Sequence, residues 1–355
     1  MRTRMFTIPT DAPEADGTLS WNSTSVVLVQ ASAGGHTGLG FSYAAGAAAN
    51  VVTELLVDAV VGADALCPQG AWQRMRAAIR NAGYPGIGSS AISAVDIALW
   101  DLKARLLGLP LSALLGRVRE RVPVYGSGGF TSYTDDQLEH QLAGWVAQGI
   151  GAVKMKVGSE PERDPERVRR ARAAIGQHAA LFLDANGAYS RKQALELAEV
   201  FAAEAGVRWF EEPVSSDDLE GLRLLRDRGP AGMDIAAGEY GYDLFYFRRM
   251  LQASAVDVLQ ADVTRCGGIT QMLQVAALCA AHGMLLSAHT SPAIHAHVCA
   301  AISPLAHVEY FHDHVRIEQL LFDGVPLLVD GALCPADAPG LGLTLREDQA
   351  KEYER

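Results

Sequence analysis

From Arg121 to about Tyr310 the chain repeats one pattern, a short apolar run followed by an amphipathic stretch of helical length that ends at glycine or a capping residue. Eight such runs occur, at Val122–Gly126, Ala152–Val157, Leu181–Asp184, Arg208–Glu211, Ile235–Glu239, Val258–Asp262, Met284–His289 and His307–Tyr310. Helical periodicity fills the gaps, as at Thr134–Gly149, Pro165–Gly176, Ser190–Ala205 and Gly268–Gly283. Strand and helix in alternation require parallel strands joined by crossovers, and eight units suggest a sheet closed into a barrel. A doubly wound open sheet is the alternative, but no Gly-x-Gly-x-x-Gly follows the first strand of any unit.

The first hundred or so residues follow another rule. Ser25–Ala31 and Gly38–Tyr43 read as antiparallel strands, and helices rich in Ala and Leu come after them. Ser90–Gly108 is strongly helical: Val95, Leu99, Leu102 and Leu106 recur at three- and four-residue steps before Gly108 and Pro110 stop the run. This is an α+β module in front of an α/β barrel.

Composition narrows the partners. A chain of 355 residues, 49% apolar and 20% charged, is globular and large enough for one large domain or two. A net charge of −11 without a Lys/Arg-dense run argues against nucleic acid or an anionic membrane, so an anionic substrate must meet a local positive site. Apolar stretches break before membrane-spanning length and the N-terminus lacks a signal-peptide core, so a cytoplasmic protein is expected. The five cysteines are widely spaced, odd in number and without Cys-x-x-Cys, which predicts buried reduced thiols rather than disulfides or zinc.

Charged residues then fall where barrel enzymes keep their chemistry, within or at the C-terminal ends of successive strands. Lys154 and Lys156 lie on the second, Asp184 ends the third, Glu211 the fourth, Glu239 the fifth, Asp262 the sixth and His289 the seventh, while Glu309 lies on the eighth. Asp184, Glu211 and Glu239, spaced by 27 and 28 residues, would repel one another on adjacent strands without a cation. All-oxygen ligation favours Mg²⁺ first and Mn²⁺ second. Asn186 and Glu212 adjoin two of these ligands and are candidate substrate or supporting contacts. Asp262 and His289, 27 residues apart on neighbouring strands, can pair so that the carboxylate orients the imidazole as an acid or base. His295 and His297 read as structural.

Lys154 and Lys156 share one face of their strand. Like charge and partial burial are expected to lower an ammonium pKa toward neutrality, which would make Lys156, nearer the rim, a base. With His289 across the pocket, a substrate carbon would have a base on each face and a metal on its carboxylate. Such a device removes the α-proton of a carboxylate and stabilises the resulting enediolate.

These residues resemble the enolase superfamily, mandelate racemase subgroup, through "SAVDIALWDLKARLLGLPLSALLG", "KMK", "DANGAYS", "WFEEP", "GEY", "DVTRCGG", "SAH" and "HVEY" in that order. The resemblance implies a modified (β/α)7β barrel at 119–325, an N-terminal α+β capping domain at 1–118, and a segment at 326–355 that returns to the cap. It implies Mg²⁺ on Asp184, Glu211 and Glu239, Lys156 as one acid/base, and Lys154 beside it touching the substrate carboxylate. His289 with Asp262 would be the opposite acid/base, and Glu309, protonated near neutral pH, would donate to the enediolate. A loop around Thr10–Asn22 would close over the substrate, with Trp21 and Glu14 as specificity candidates. Arg265 stands where several subgroup members carry lysine, and the Tyr after Glu239 also departs from other versions, so Arg265 is a candidate substrate contact. Neither change touches the metal ligands or bases.

Dehydration of a sugar acid, aldonate or aldarate, to a 2-keto-3-deoxy acid is the expected reaction, and racemisation or epimerisation of a 2-hydroxy acid is the alternative when no β-hydroxyl can leave. A catalytically dead binding protein would have lost a base, and both are kept. A symmetric homo-oligomer, from dimer to octamer, is expected of a barrel with such a cap.

Overall fold

In the computed structural model, which describes residues 1–355, the eight expected runs form eight parallel strands in one closed barrel. After a three-stranded sheet of β1 (Arg2–Ala15), β2 (Ser20–Ala33) and β3 (His36–Tyr43) come β4 (Val122–Gly128), β5 (Ala152–Lys156) and β6 (Ala180–Asp184). Then follow β7 (Val207–Glu211), β8 (Asp234–Ala237), β9 (Val258–Ala261), β10 (Leu285–Ala288) and β11 (Leu305–Phe311). Each pairs with the next, and β11 pairs with β4, Glu309 opposite Tyr125, to close the ring. The intervening helices start where the chain offers caps. Thr134 with Gln137 and Ser190 with Gln193 form reciprocal capping boxes, and Asp218 and Asp243 cap helices 219–228 and 244–252.

Side chains pointing into the barrel change character along each strand. Near the N-terminal ends, Tyr125, Phe182 and Trp209 pack with Ala236 and Val258 into a buried aromatic floor, on which His307 also rests. Two residues further along the same strands stand Ser127, Asp184, Glu211 and Glu309. The period of two thus puts an oily plug under a charged mouth.

The cap is held from three directions. The β1–β3 sheet buries Phe6, Val26, Leu28 and Phe41 in the core shared with the barrel, whereas Val27, Val29 and Ala31 face a smaller core inside the cap. Helix 87–106, nearly all buried, crosses β3 so closely that a Cβ on Gly38 or Gly40 would lie 2.2 or 2.3 Å from a helix carbonyl oxygen. Its polar residues reach the barrel: Asp96 accepts from Thr270 at 2.6 and 2.8 Å, and Ser89 donates to the Arg265 carbonyl at 2.6 Å. After the barrel, Leu327–Val329 and Ala332–Cys334 form a hairpin that pairs with β4. The chain then returns to the cap, where Arg4 of β1 bonds Glu347 and Glu354 at 2.7 Å.

Two sequence expectations change here. Thr10–Asn22 is not an open loop: β1 and β2 continue through it, with a bulge between Pro9 and Glu14, to a turn held by Asp16 accepting from the Thr18 and Leu19 amides. Pro13, with Pro9 just before the segment, and alternating polar residues gave it the appearance of a loop in the sequence. The thiols are all free, but Cys67 is exposed and Cys334 half-buried, so only Cys266, Cys279 and Cys299 are buried as expected. No helix is long and apolar enough to cross a membrane.

Candidate active site

Lys156, Asp184 and Glu211 are the last residues of β5, β6 and β7. Glu239, Asp262 and His289 lie just past β8, β9 and β10, and Glu309 lies two residues before the end of β11. Behind them the backbone is strained: Asn186, Glu212, Thr290 and Ser291 all have φ between 38° and 51° without being glycine. Such left-handed residues persist where the surrounding structure dictates them, commonly at functional sites.

Asp184, Glu211 and Glu239 come together, each offering a carboxylate oxygen within 4.8 Å of the others. Lys154, fully buried, bonds both oxygens of Glu211 at 2.7 Å and lies 2.9 Å from Glu309 and 3.4 Å from Asp184. Lys156 bonds Asp184 and, at 3.1 Å, Asn186. Burial alone would lower both ammonium pKa values, but Glu211, Glu309 and Asp184 around Lys154 and Asp184 beside Lys156 outweigh it and hold both above the ordinary lysine range. The expected lowering weighed the like-charged neighbour and burial but not the number of carboxylates facing the pair.

Across the cluster, His289 Nδ1 meets Asp262 at 2.9 Å, while Thr264 donates its amide and hydroxyl to the other Asp262 oxygen at 2.7 Å. Nε2 points the other way, 3.4 Å from Glu239 and 3.6 Å from Glu309. Burial would lower the imidazole pKa, but Glu239 and Glu309 raise it on balance. Glu309 differs from the expectation of a protonated donor. Burial would push it up, yet Lys154 and His289 hold it below the usual carboxylate range, and it accepts from Ser127 at 2.5 Å and from the Thr290 amide at 3.2 Å.

A cavity of about 430 Å³ opens between mouth and cap. Lys156, Asn186, Glu239, Arg265, His289 and Glu309 line it from the barrel, and Trp21 from the cap. Arg265 is half-buried and, contrary to the expectation that it leaves the metal ligands and bases untouched, braces Glu239 at 3.1 Å and Asp262 at 3.5 Å. Glu212 and Glu14 do not reach the cavity. Glu212 is buried just past the end of β7, its Oε1 unpartnered, and Glu14 accepts from the Trp21 indole at 2.7 Å. Ser127 and Thr264 went unnoticed in the sequence, where a serine or threonine beside a strand end reads as a turn. Tyr43, Phe311 and His314 also reach the cavity without any local motif to mark them.

The donor set fits a hard cation. Six buried carboxylates (Asp184, Glu211, Glu212, Glu239, Asp262 and Glu309) face three fixed cations (Lys154, Lys156 and Arg265), and Glu239 Oε2 is buried without a hydrogen-bond partner. Oxygen-only ligation and surplus negative charge suit Mg²⁺ far better than zinc or copper.

Residues 4–116 match the mandelate racemase/muconate lactonizing enzyme N-terminal domain, and residues 137–349 the enolase C-terminal domain-like family. The chain belongs to the mandelate racemase subgroup of the enolase superfamily. Among relatives in this subgroup, a 3,6-anhydro-alpha-L-galactonate cycloisomerase of Streptomyces coelicolor is 34% identical over 317 residues, 88% of this chain and 86% of its own. An L-talarate/galactarate dehydratase of Salmonella typhimurium is 34% identical over 327 residues, 90% of this chain and 79% of its own. That dehydratase, solved with Mg and L-lyxarohydroxamate, superposes with a TM-score of 0.89 at 29% identity, covering 99% and 91% of the two chains. A mandelate racemase/muconate lactonizing enzyme-like protein of Rubrobacter xylanophilus superposes at 0.98 with 57% identity, covering 100% and 98%. Family and barrel are those implied by the sequence resemblance, and the relatives are enzymes.

Proposed function

We propose that the chain is a Mg²⁺-dependent dehydratase that converts a sugar acid, aldonate or aldarate, to its 2-keto-3-deoxy acid. The observation that carries this is the placement of an amine and an imidazole at opposite ends of one carboxylate cluster. Lys156 touches Asp184 and His289 approaches Glu239, and the two arrive from strands three apart around an eight-stranded ring. Asp184, Glu211 and Glu239 would hold the ion. Bound there, it would supply positive charge that acidifies the α-carbon of a carboxylate and favours the enediolate.

The side chains do the rest. Lys154, expected to touch the substrate carboxylate, is instead fully buried, does not line the cavity, and fixes Glu211 and Glu309. One of the pair Lys156 and His289 removes the α-proton, and the C–H electrons pass into the carboxylate as an enediolate. Collapse of the enediolate breaks the C–O bond at the β-carbon, and His289, as imidazolium, gives the departing hydroxyl a proton so that water leaves. The enol that remains takes a proton at the β-carbon, gives up the proton of its hydroxyl, and becomes the keto acid. Asp262 keeps Nδ1 protonated and Nε2 directed at the substrate. Glu309, an acceptor here, sets the positions of Lys154 and the Thr290 amide.

The dehydratase relative supports this reading. Isomerisation of an anhydro or lactone form of a sugar acid is a second reading, supported by the cycloisomerase relative. Racemisation would need the same two bases and no leaving group. Incubating the Mg²⁺-loaded enzyme with hexonic, pentonic and aldaric acids and assaying 2-keto acid tests the choice. Keto acid from at least one acid is the expected result. α-Hydrogen exchange from D₂O without keto acid would overturn dehydration.

A further inference from the structure

The two walls of the cavity carry different charge. Its only lysine and arginine, Lys156 and Arg265, both come from the barrel mouth, and Arg265 is already spent between Glu239 and Asp262. The cap contributes hydroxyls (Ser23, Thr24, Ser25), aromatic faces (Trp21, Tyr43) and one carboxylate, Asp16, but no cation. The remaining basic group on the β11 side is His314, stacked on Tyr43 at 3.3 Å between ring centroids and accepting from the Ser291 amide. Its burial keeps the ring neutral.

We propose that the cavity selects sugar acids with a single carboxylate, aldonates, over the matching aldarates, with Asp16 and the cation-free cap wall as the discriminating feature. This rests on the reading that the chain acts on a sugar acid. The reacting carboxylate meets Lys156 and the metal-ligand cluster, and the hydroxyl-bearing tail meets the cap. Hydroxyls there find serine and threonine partners and aromatic faces, whereas a second carboxylate would be partly desolvated beside Asp16 with nothing to pair it.

The test compares kcat/KM of the Mg²⁺-loaded enzyme on aldonate and aldarate pairs of the same configuration, read as 2-keto acid. The aldonate of a reactive pair is expected to exceed its aldarate by at least about 10-fold. Asp16→Asn keeps the side-chain oxygen that accepts from Thr18 and Leu19, so the turn is retained. It should shrink the aldonate-to-aldarate ratio several-fold, while Asp16→Glu should preserve the preference. An aldarate used as well as its aldonate, or a ratio unmoved by Asp16→Asn, overturns the proposal and leaves dehydration standing. If no acid of either kind gives keto acid or α-hydrogen exchange, the sugar-acid reading itself fails and the proposal with it.

Discussion

The floor and the mouth of the barrel are built from the same strands, two residues apart, yet they are held by opposite means. Phe182 stacks on Trp209 with ring centroids 5.2 Å apart, and this layer gains from leaving water. Asp184 and Glu211, the next inward positions, lose hydration and recover it only through Lys154, Lys156 and whatever cation they hold. The difference teaches where stability is separable from chemistry. The floor can be changed at the expense of folding, and the mouth at the expense of turnover.

Substitution at the mouth should have the largest effect. Lys156→Ala and His289→Asn are each expected to lower turnover, or α-hydrogen exchange, by about 10²- to 10⁴-fold with Mg²⁺ present, as loss of a general acid or base does. The urea midpoint of His289→Asn should stay near that of the parent, whereas Lys156→Ala also removes the buried partner of Asp184 and should lower it. Retained turnover in both variants would remove the assignment of the bases. Phe182→Ala should do the reverse, costing about 3–5 kcal/mol in urea unfolding while the folded enzyme keeps its kcat. A floor variant that loses rate but not stability would erase the contrast.

The ion sharpens the comparison further. Mg²⁺ at 100 times its Kd should stabilise the chain by about 2.7 kcal/mol, seen as a rise in Tm, and Asp184→Asn or Glu239→Gln should abolish the rise. A rise that survives both changes would place the ion elsewhere. The smallest effect concerns Glu14, whose carboxyl is pushed up to about 8 by burial, with Asp313 adding to this and the Trp21 hydrogen bond opposing it. The folded state therefore holds this proton more tightly than the unfolded chain. The contribution is full below the unfolded value of about 4.3 and is lost as pH rises through about 8. Tm should fall less steeply between pH 5 and 8.5 in Glu14→Gln than in the parent, and parallel curves would show that Glu14 does not titrate in that window.

Much of this was legible because the barrel writes its geometry into the chain. Apolar runs separated by capped helices gave all eight strands. A charged residue within a strand or closing it, as at Lys156, Asp184, Glu211 and Glu309, has few other uses. What stayed hidden depends on neighbours distant in sequence. The protonation state of Lys154 follows from Glu211 and Glu309, 57 and 155 positions away, and no local rule counts them. The β1–β2 hairpin was obscured because Pro9, Asp11 and Pro13 have turn chemistry, although Thr131 binds the Ala15 and Asp16 carbonyls and keeps the hairpin tip against the barrel. Glu14 and Trp21 were singled out together, but only Trp21 lines the cavity, with Glu14 as its anchor.

The ion pairs of Arg4 bear on how the chain is made. This guanidinium sits in β1, and its carboxylate partners Glu347 and Glu354 lie 343 and 350 positions later in the chain. A nascent chain can therefore assemble its barrel while the first strand of its lid still lacks its counter-charges. The lid can lock only after the segment carrying Glu347 and Glu354 has been made, and early termination near residue 346 would leave a buried cation without neutralisation.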